Sequence, residues 1–266
     1  MALEQITTQV IELSKQVGDF IRQERKSFSS AKIEYKGLND MVSYVDKTAE
    51  EKIVAGLEKI LPDAGFITEE KTKNKIADRY NWIIDPLDGT TNFIHGLPVF
   101  SVSIALQEYG ELVMGVVYEV NQDECFYAWK GAPAYLNGEE IKVSNCQTIS
   151  NSLIATGFPY YDFEKQPAYI KLFTHLMQNC HGLRRLGSAA VDLAYTAAGR
   201  FDSYYEYNLN AWDAAAGIVI IKQAGGHVVN FSGGDEVLET RELLATNGKM
   251  TEEMLKVIKE YFTQKD

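Results

Sequence analysis

A chain of 266 residues that is 45% hydrophobic and 24% charged carries enough apolar material for a sizeable core, as one large domain or two small ones. Its net charge of −11, with no run of lysine and arginine, excludes the basic stripe that grips nucleic-acid backbones or anionic membranes. A phosphate substrate is not excluded, because a bound divalent cation inverts the local field.

Residues 3–28 set Ile6, Val10, Val17 and Ile21 on or near one helical face. Glu4, Glu12, Lys15 and Asp19 interrupt any apolar stretch of signal-peptide type, so this segment is expected to be part of the fold. The helical pattern returns over 41–61, after a turn at 36–40, with Asn39 or Asp40 as the expected cap. Asp46 falls inside this second helix, where taken alone it reads as a solvated helix acid. Residues 65–68 are a short strand that ends in Glu69 and Glu70, and a polar, lysine-rich loop follows at 71–75.

Residues 82–93, Trp-Ile-Ile-Asp-Pro-Leu-Asp-Gly-Thr-Thr-Asn-Phe, hold the densest chemistry. An apolar run that reads as a buried strand delivers Asp85 and Asp88 around Pro86, which fixes its own φ and pushes Asp85 towards an extended conformation. The two acids therefore leave the strand on a stiff turn. Gly89 permits close backbone approach, and a helix starting here would aim the N–H groups of Gly89 and Thr90 at an anion. If the 65–68 and 82 strands are neighbours, Glu69, Asp85 and Asp88 meet at one sheet edge.

Strands over 100–107, 112–120 and 124–129 form an antiparallel meander by spacing, and Asn137-Gly138 signals a further hairpin. A polar connection at 144–152 divides the chain into an α+β half, about 1–145, and an α/β half, about 146–266, of one domain spanning 1–266. In the second half, strands at 153–156, 183–186, 202–207, 227–230 and 243–245 alternate with helices near 164–178, 188–199, 212–224 and 250–263. Asp213 opens one of these helices, where it reads on its own as an N-cap. Glu206, at the end of a tyrosine-rich strand, reads on its own as an edge-strand charge.

Together, Glu69, Asp85, Asp88 and Asp213 are an oxygen-only set, and hard oxygen donors suit Mg²⁺ far better than Zn²⁺. The four histidines have no paired spacing, and Cys125, Cys146 and Cys180 are odd in number and dispersed, which points to reduced thiols and a cytoplasmic protein. No Gly-x-Gly-x-x-Gly, P-loop or Gly-x-Ser-x-Gly is present.

Glu69-Glu70, residues 82–93, Trp212-Asp213, Ala224-Gly225-Gly226, Gly187-Ser188-Ala189-Ala190 and Tyr204-Tyr205-Glu206 closely resemble the inositol monophosphatase family, along nearly the whole chain. The resemblance implies a layered α-β-α-β-α fold of the kind shared with fructose-1,6-bisphosphatases. It also implies an Mg²⁺-dependent, lithium-sensitive phosphomonoesterase, usually a homodimer, with two or three metal ions per site. Carried over by position, Glu69, Asp85 and the Leu87 carbonyl would hold one Mg²⁺, and Asp85, Asp88 and Asp213 a second. Thr90 and Glu69 would orient the attacking water, with Asp46 behind Thr90 and near a weak third metal. Gly89 and Thr90 would bind phosphate oxygens, and Ala189 and Glu206 would contact inositol hydroxyls, beside Asp88 and Asp213.

Thr68 stands where the family often has glycine and Lys71 where it often has serine. Lys71, Lys73 and Lys75 beside a phosphate site would suit a second anionic group, as in relatives that act on fructose 1,6-bisphosphate, NADP or phosphoadenosine phosphate with the same metal core. A different class stays open too, a regulatory or binding protein whose phosphatase activity is secondary.

Overall fold

The structure, a computed structural model, describes residues 2–28, 33–37, 40–159 and 163–262. The apolar face of the opening segment becomes α1 (Leu3–Ser27), with Ile6, Val10, Val17 and Ile21 buried. Among the described residues, no helix is long and apolar enough to cross a membrane. A short antiparallel pair, β1 (Ile33–Gly37) and β2 (Asp40–Ser43), precedes α2 (Tyr44–Ile60). This corrects the expected helix over 41–61. Asp40 pairs with Gly37 in the strand ladder, and the helix is capped by Ser43 instead; Asn39 lies outside the described residues. Ser43 Oγ accepts from the Val45 N–H at 3.1 Å, and Asp46 Oδ2 accepts from the Ser43 N–H at 2.9 Å, which satisfies donors that a helix start leaves orphaned.

Next come β3 (Gly65–Thr68), β4 (Tyr80–Asp88), α3 (Thr90–His95), β5 (Ser101–Glu108), β6 (Glu111–Glu119), β7 (Glu124–Trp129), β8 (Ala134–Leu136) and β9 (Glu139–Ile141). The strands form a seven-stranded sheet in sequence order, parallel between β3 and β4 and antiparallel from there on. The meander and the Asn137-Gly138 hairpin are as the pattern predicts. The short α3, which periodicity did not signal, is too brief to show a repeat.

After a 3-10 turn at Ile149–Asn151, the chain continues through β10 (Leu153–Thr156), α4 (Gln166–Asn179), β11 (Gly182–Arg184), α5 (Ala189–Ala197), β12 (Ser203–Tyr207) and α6 (Ala211–Gln223). It ends in β13 (His227–Val229), α7 (Val237–Thr240), β14 (Glu242–Thr246) and α8 (Thr251–Phe262). The second sheet has the order β11-β10-β12-β14-β13, with β10 parallel to β11 and β12 and the other pairs antiparallel. Glu206 is therefore on the central strand. Its reading as an edge-strand charge does not hold.

The strand period of two assigns each side chain to a layer. Trp82 and Ile84 face one way and pack with α1 and α2, whereas Ile83 and Ala105 face the other way and pack with α5 and α6. Tyr204 and Leu243 join that same middle core from the second sheet, and Tyr205 and Leu244 turn outward onto α4 and α8. The result is five layers, α-β-α-β-α.

Candidate active site

Residues three apart on a regular strand face opposite sides of the sheet. On β4, Asp85 pairs with Ser103 but Asp88 with Ser101, so residues 86 and 87 share one partner position and the strand bulges. The extra residue brings both acids to the face that looks towards α5 and α6. Pro86 has no N–H to offer a ladder, so a bulge is where it costs least. The Leu87 N–H donates to Asp85 Oδ1 at 2.9 Å. On the neighbouring parallel strand the Glu69 N–H reaches the Ile84 carbonyl at 3.3 Å, and the Glu69 and Asp85 carboxyls share a hydrogen bond.

Gly89 follows with φ 98°, a left-handed conformation that turns the chain from β4 into α3 without a Cβ penalty. Thr90 Oγ1 lies 2.8 Å from Asp46 Oδ1 and 3.0 Å from the Leu87 carbonyl oxygen. Asp46 is buried, not a solvated helix acid, and its other oxygen accepts from the Ser43 backbone and hydroxyl. One turn along α2, the buried Glu50 accepts from the N–H groups of Glu70 and Thr72, each at 2.7 Å. A single helix face thus anchors the loop after Glu69 and the hydroxyl of Thr90.

The other wall comes from the second half of the chain. Asp88 Oδ2 accepts from Ser188 Oγ at 2.6 Å and from the Ala190 N–H at 2.7 Å, at the start of α5 where orphan N–H groups favour a carboxylate. Asn92 Nδ2 donates to the carbonyls of Val99 and Leu186 at 2.7 and 2.8 Å, tying α3 to the loop before Ser188. Asp213 is the third residue of α6, not its cap. Asn210 occupies the cap position, and its N–H donates to Asp213 Oδ2 at 2.7 Å. Glu206 is buried and held by the Tyr204 hydroxyl; a side chain at Gly157 would collide with its carboxylate.

These residues line one cleft: Glu69, Asp85, Leu87, Asp88, Gly89, Thr90, Ala189, Glu206 and Asp213. Asp46 stands behind it through Thr90. Lys71, Lys73 and Lys75 are not among the lining residues, and Lys73 pairs with Glu58 on α2. The periodicity and motif reading missed three features of the cleft and its support, Arg185 and Asp192 on its wall and Glu50 behind it. No sequence spacing marks them, although Ser188 ahead of a helical run is a cap signal.

Burial drives the electrostatics. It raises Glu69, with Asp213 and Glu70 adding to the effect, and it raises Asp85, with Glu69 and Asp88 adding to it. Asp88 is pushed up to about 6, Asp213 to about 7 and Glu206 to about 8, each first by burial. Among the described residues, no three His, Cys, Asp or Glu side chains converge into a ready-made metal cage. The donor chemistry nevertheless fits a hard divalent cation. The cleft gathers oxygen ligands whose negative charges oppose one another, and a cation there would relieve that opposition.

The sequence model of the inositol monophosphatase family matches residues 2–263. The chain is 36% identical over 260 residues to an inositol-1-monophosphatase of Mesorhizobium japonicum, covering 97% of this chain and 98% of that protein. It is 39% identical over 250 residues to the Nus factor SuhB of Pasteurella multocida, covering 93% of each. Its fold matches the crystal structure of the extragenic suppressor protein suhB from Bartonella henselae with a TM-score of 0.92 at 35% identity, over 96% of this chain and 99% of that one.

Proposed function

The chain belongs to the inositol monophosphatase family, a family of phosphomonoesterases, and we propose that it hydrolyses inositol monophosphate to inositol and phosphate in this cleft. The observation that carries the reading is the bulge of β4, which turns Asp85 and Asp88 to one face beside Glu69, with Asp213 arriving on α6. Glu69, Asp85, the Leu87 carbonyl, Asp88 and Asp213 are the proposed ligands of two Mg²⁺ ions, and Asp46 lies near a weaker third. Bound there, magnesium would neutralise phosphate oxygens, acidify the attacking water and stabilise the leaving alkoxide.

The chain's own groups position the reactants. Thr90 Oγ1 donates its one hydrogen bond to Asp46 or to the Leu87 carbonyl and keeps its proton, which leaves a lone pair to accept from a water O–H, and Glu69 takes up the proton that water loses on attack. The water oxygen bonds to phosphorus as the P–O ester bond breaks on the opposite side, and the departing oxygen takes a proton from solvent water, balanced by the proton that Glu69 later returns to solvent. Backbone N–H groups of Gly89 and Thr90 hold phosphate oxygens, while Ala189 and Glu206 meet the inositol ring.

The position of the lysines supports a monophosphate, since Lys71, Lys73 and Lys75 are not among the cleft residues. A bisphosphate or dinucleotide, such as fructose 1,6-bisphosphate, NADP or phosphoadenosine phosphate, finds its support in Arg185, the cationic side chain among the described lining residues. Phosphate release measured over all four substrate types, with Mg²⁺ and with chelator, decides. A preference for a doubly anionic substrate overturns the inositol choice, and full activity in chelator overturns the metal. The proposal includes a homodimer, tested by light scattering, and a cytoplasmic location. The relatives named as Nus factors favour a second, binding role beside catalysis. Retention of a specific partner by an inactive Asp85→Asn protein tests that role.

A further inference from the structure

Tyr169 of α4 does not line the cleft, yet it closes a buried hydrogen-bond chain against the cleft wall where β10 ends. Its hydroxyl lies 2.6 Å from the Gly157 carbonyl oxygen and 2.8 Å from Thr156 Oγ1, which is itself 2.8 Å from the Tyr205 carbonyl oxygen. Tyr169 is 1% exposed, and burial first, with Tyr205 adding to it, pushes the phenol far above its usual range, so it stays a hydrogen-bond donor. Two hydroxyl protons serve three contacts. Tyr169 can therefore donate to Gly157 while Thr156 donates to Tyr169, and in the opposite arrangement the Gly157 carbonyl loses it. Gly157 and the next residue, Phe158, both line the cleft. A Cβ on Gly157 would collide with the Glu206 carboxylate, while Phe158 meets the Tyr169 ring edge-on at 6.0 Å and carries the Arg185 guanidinium over its own ring at 5.4 Å. For packing alone a phenylalanine would fill the same space without a hydroxyl to bury.

We propose that Tyr169 is a positioning residue for the substrate: its hydroxyl pins the Gly157 carbonyl and its ring pins Phe158, which fixes the edge of the cleft that bounds the ester's alcohol portion. The role rests on the phosphatase reading of this cleft. It concerns one wall, because the proposed phosphate-holding groups, Gly89 and Thr90, follow β4 of the other sheet. No second donor in the chain replaces the phenol, since Thr156 Oγ1 is 3.4 Å from the Gly157 carbonyl oxygen, too far for a good hydrogen bond. An edge released in this way shifts relative to Gly89 and Thr90, and small displacements of groups that hold a substrate are costly.

The test compares Tyr169→Phe with Thr156→Val, each of which deletes one hydroxyl of the same chain. Only the first removes the donor to Gly157, because without Thr156 Oγ1 the phenol still has that carbonyl to bond. Kinetics use whichever of inositol 1-phosphate, fructose 1,6-bisphosphate or NADP the wild type hydrolyses best, with inorganic phosphate as a competing inhibitor and Tm recorded for each protein. Tyr169→Phe raises KM about fivefold with kcat within about twofold of wild type, and inhibition by inorganic phosphate, which has no alcohol portion, stays unchanged. Thr156→Val loses a similar amount of Tm and keeps the wild-type KM. Phe158→Leu, which leaves the buried chain intact, raises KM as well and identifies the edge should Tyr169→Phe fold poorly. An unchanged KM in Tyr169→Phe, an equal rise in Thr156→Val, or phosphate inhibition that weakens in step with KM overturns the proposal. So does a normal KM in Phe158→Leu. A wild type that hydrolyses none of the three esters defeats the phosphatase reading and this role with it.

Discussion

The Thr90 hydroxyl lies 2.8 Å from Asp46 Oδ1, so the start of α3 is joined to α2 across 44 residues of sequence. If that contact orients the attacking water, Thr90→Ala lowers kcat by about 10²-fold or more while leaving Mg²⁺ affinity nearly unchanged. Calorimetric titration beside steady-state kinetics checks both halves. Loss of Mg²⁺ binding in this variant would remove the water-orienting role.

Asp85→Asn is expected to behave differently. Asp85 is the proposed bridge between the two metal positions, and its amide lacks the charge that holds them. High-affinity Mg²⁺ binding and turnover should vanish together, and a variant that still titrates two ions tightly contradicts the bridge.

Chelation and ion competition probe the donor set as a whole. Activity lost in chelator should return with Mg²⁺ and fall again with Li⁺ or with excess Ca²⁺, whose looser coordination does not enforce octahedral geometry. Restoration by Zn²⁺ in preference to Mg²⁺ would contradict an oxygen-only site.

Glu50→Ala tests the support behind Glu69. The substitution leaves the N–H groups of Glu70 and Thr72 without their acceptor, at about 1–3 kcal/mol for each that stays buried. Urea denaturation should show that loss, and kcat should fall with it because Glu69 adjoins the freed loop. A normal kcat in a destabilised protein would separate Glu50 from catalysis.

The raised carboxyls set the pH dependence of the metal-free protein. Glu206 ionises near 8 when folded, above its ordinary value of 4.5, so between those values the folded state binds a proton that the unfolded state has released. Its contribution is therefore present at low pH and is lost as pH rises through about 8, with a slope of at most ~1.4 kcal/mol per pH unit. Asp213 and Asp88, raised to about 7 and about 6, act in the same direction. Denaturation in chelator from pH 5 to 9 should show stability falling with pH, less steeply in Glu206→Gln. A rise with pH would contradict the burial assigned to these groups.

Much of this architecture is written in local pattern. The 3.6-residue period of α1, the alternation along β5, β6 and β7 and the turn chemistry of Asn137-Gly138 depend on neighbours a few residues away, so a linear reading recovers them. Residues 82–93 mark the acidic turn that lines the cleft for the same reason, since proline, paired acids and glycine act through their own backbone. The β1–β2 pair escaped that reading because Ser43, by capping α2, starts the helix later than the apolar Met41 and Val42 suggest.

What tertiary structure alone decided is which acids are buried and what they face. The bulge that aligns Asp85 with Asp88 is defined only against β5, and Glu206 is central only because β12 lies between β10 and β14. Asp46 reads as a solvated helix acid, and Glu50 draws no notice, until α2 is packed over β4 and the loop after Glu69. Asp192 carries no signal at all in sequence, since an aspartate near a helix start is commonplace. Only the packed fold buries its Oδ1, which has no hydrogen-bond partner among the described residues. Burial and partnership are properties of distant segments brought together, and residue order constrains them only through the fold.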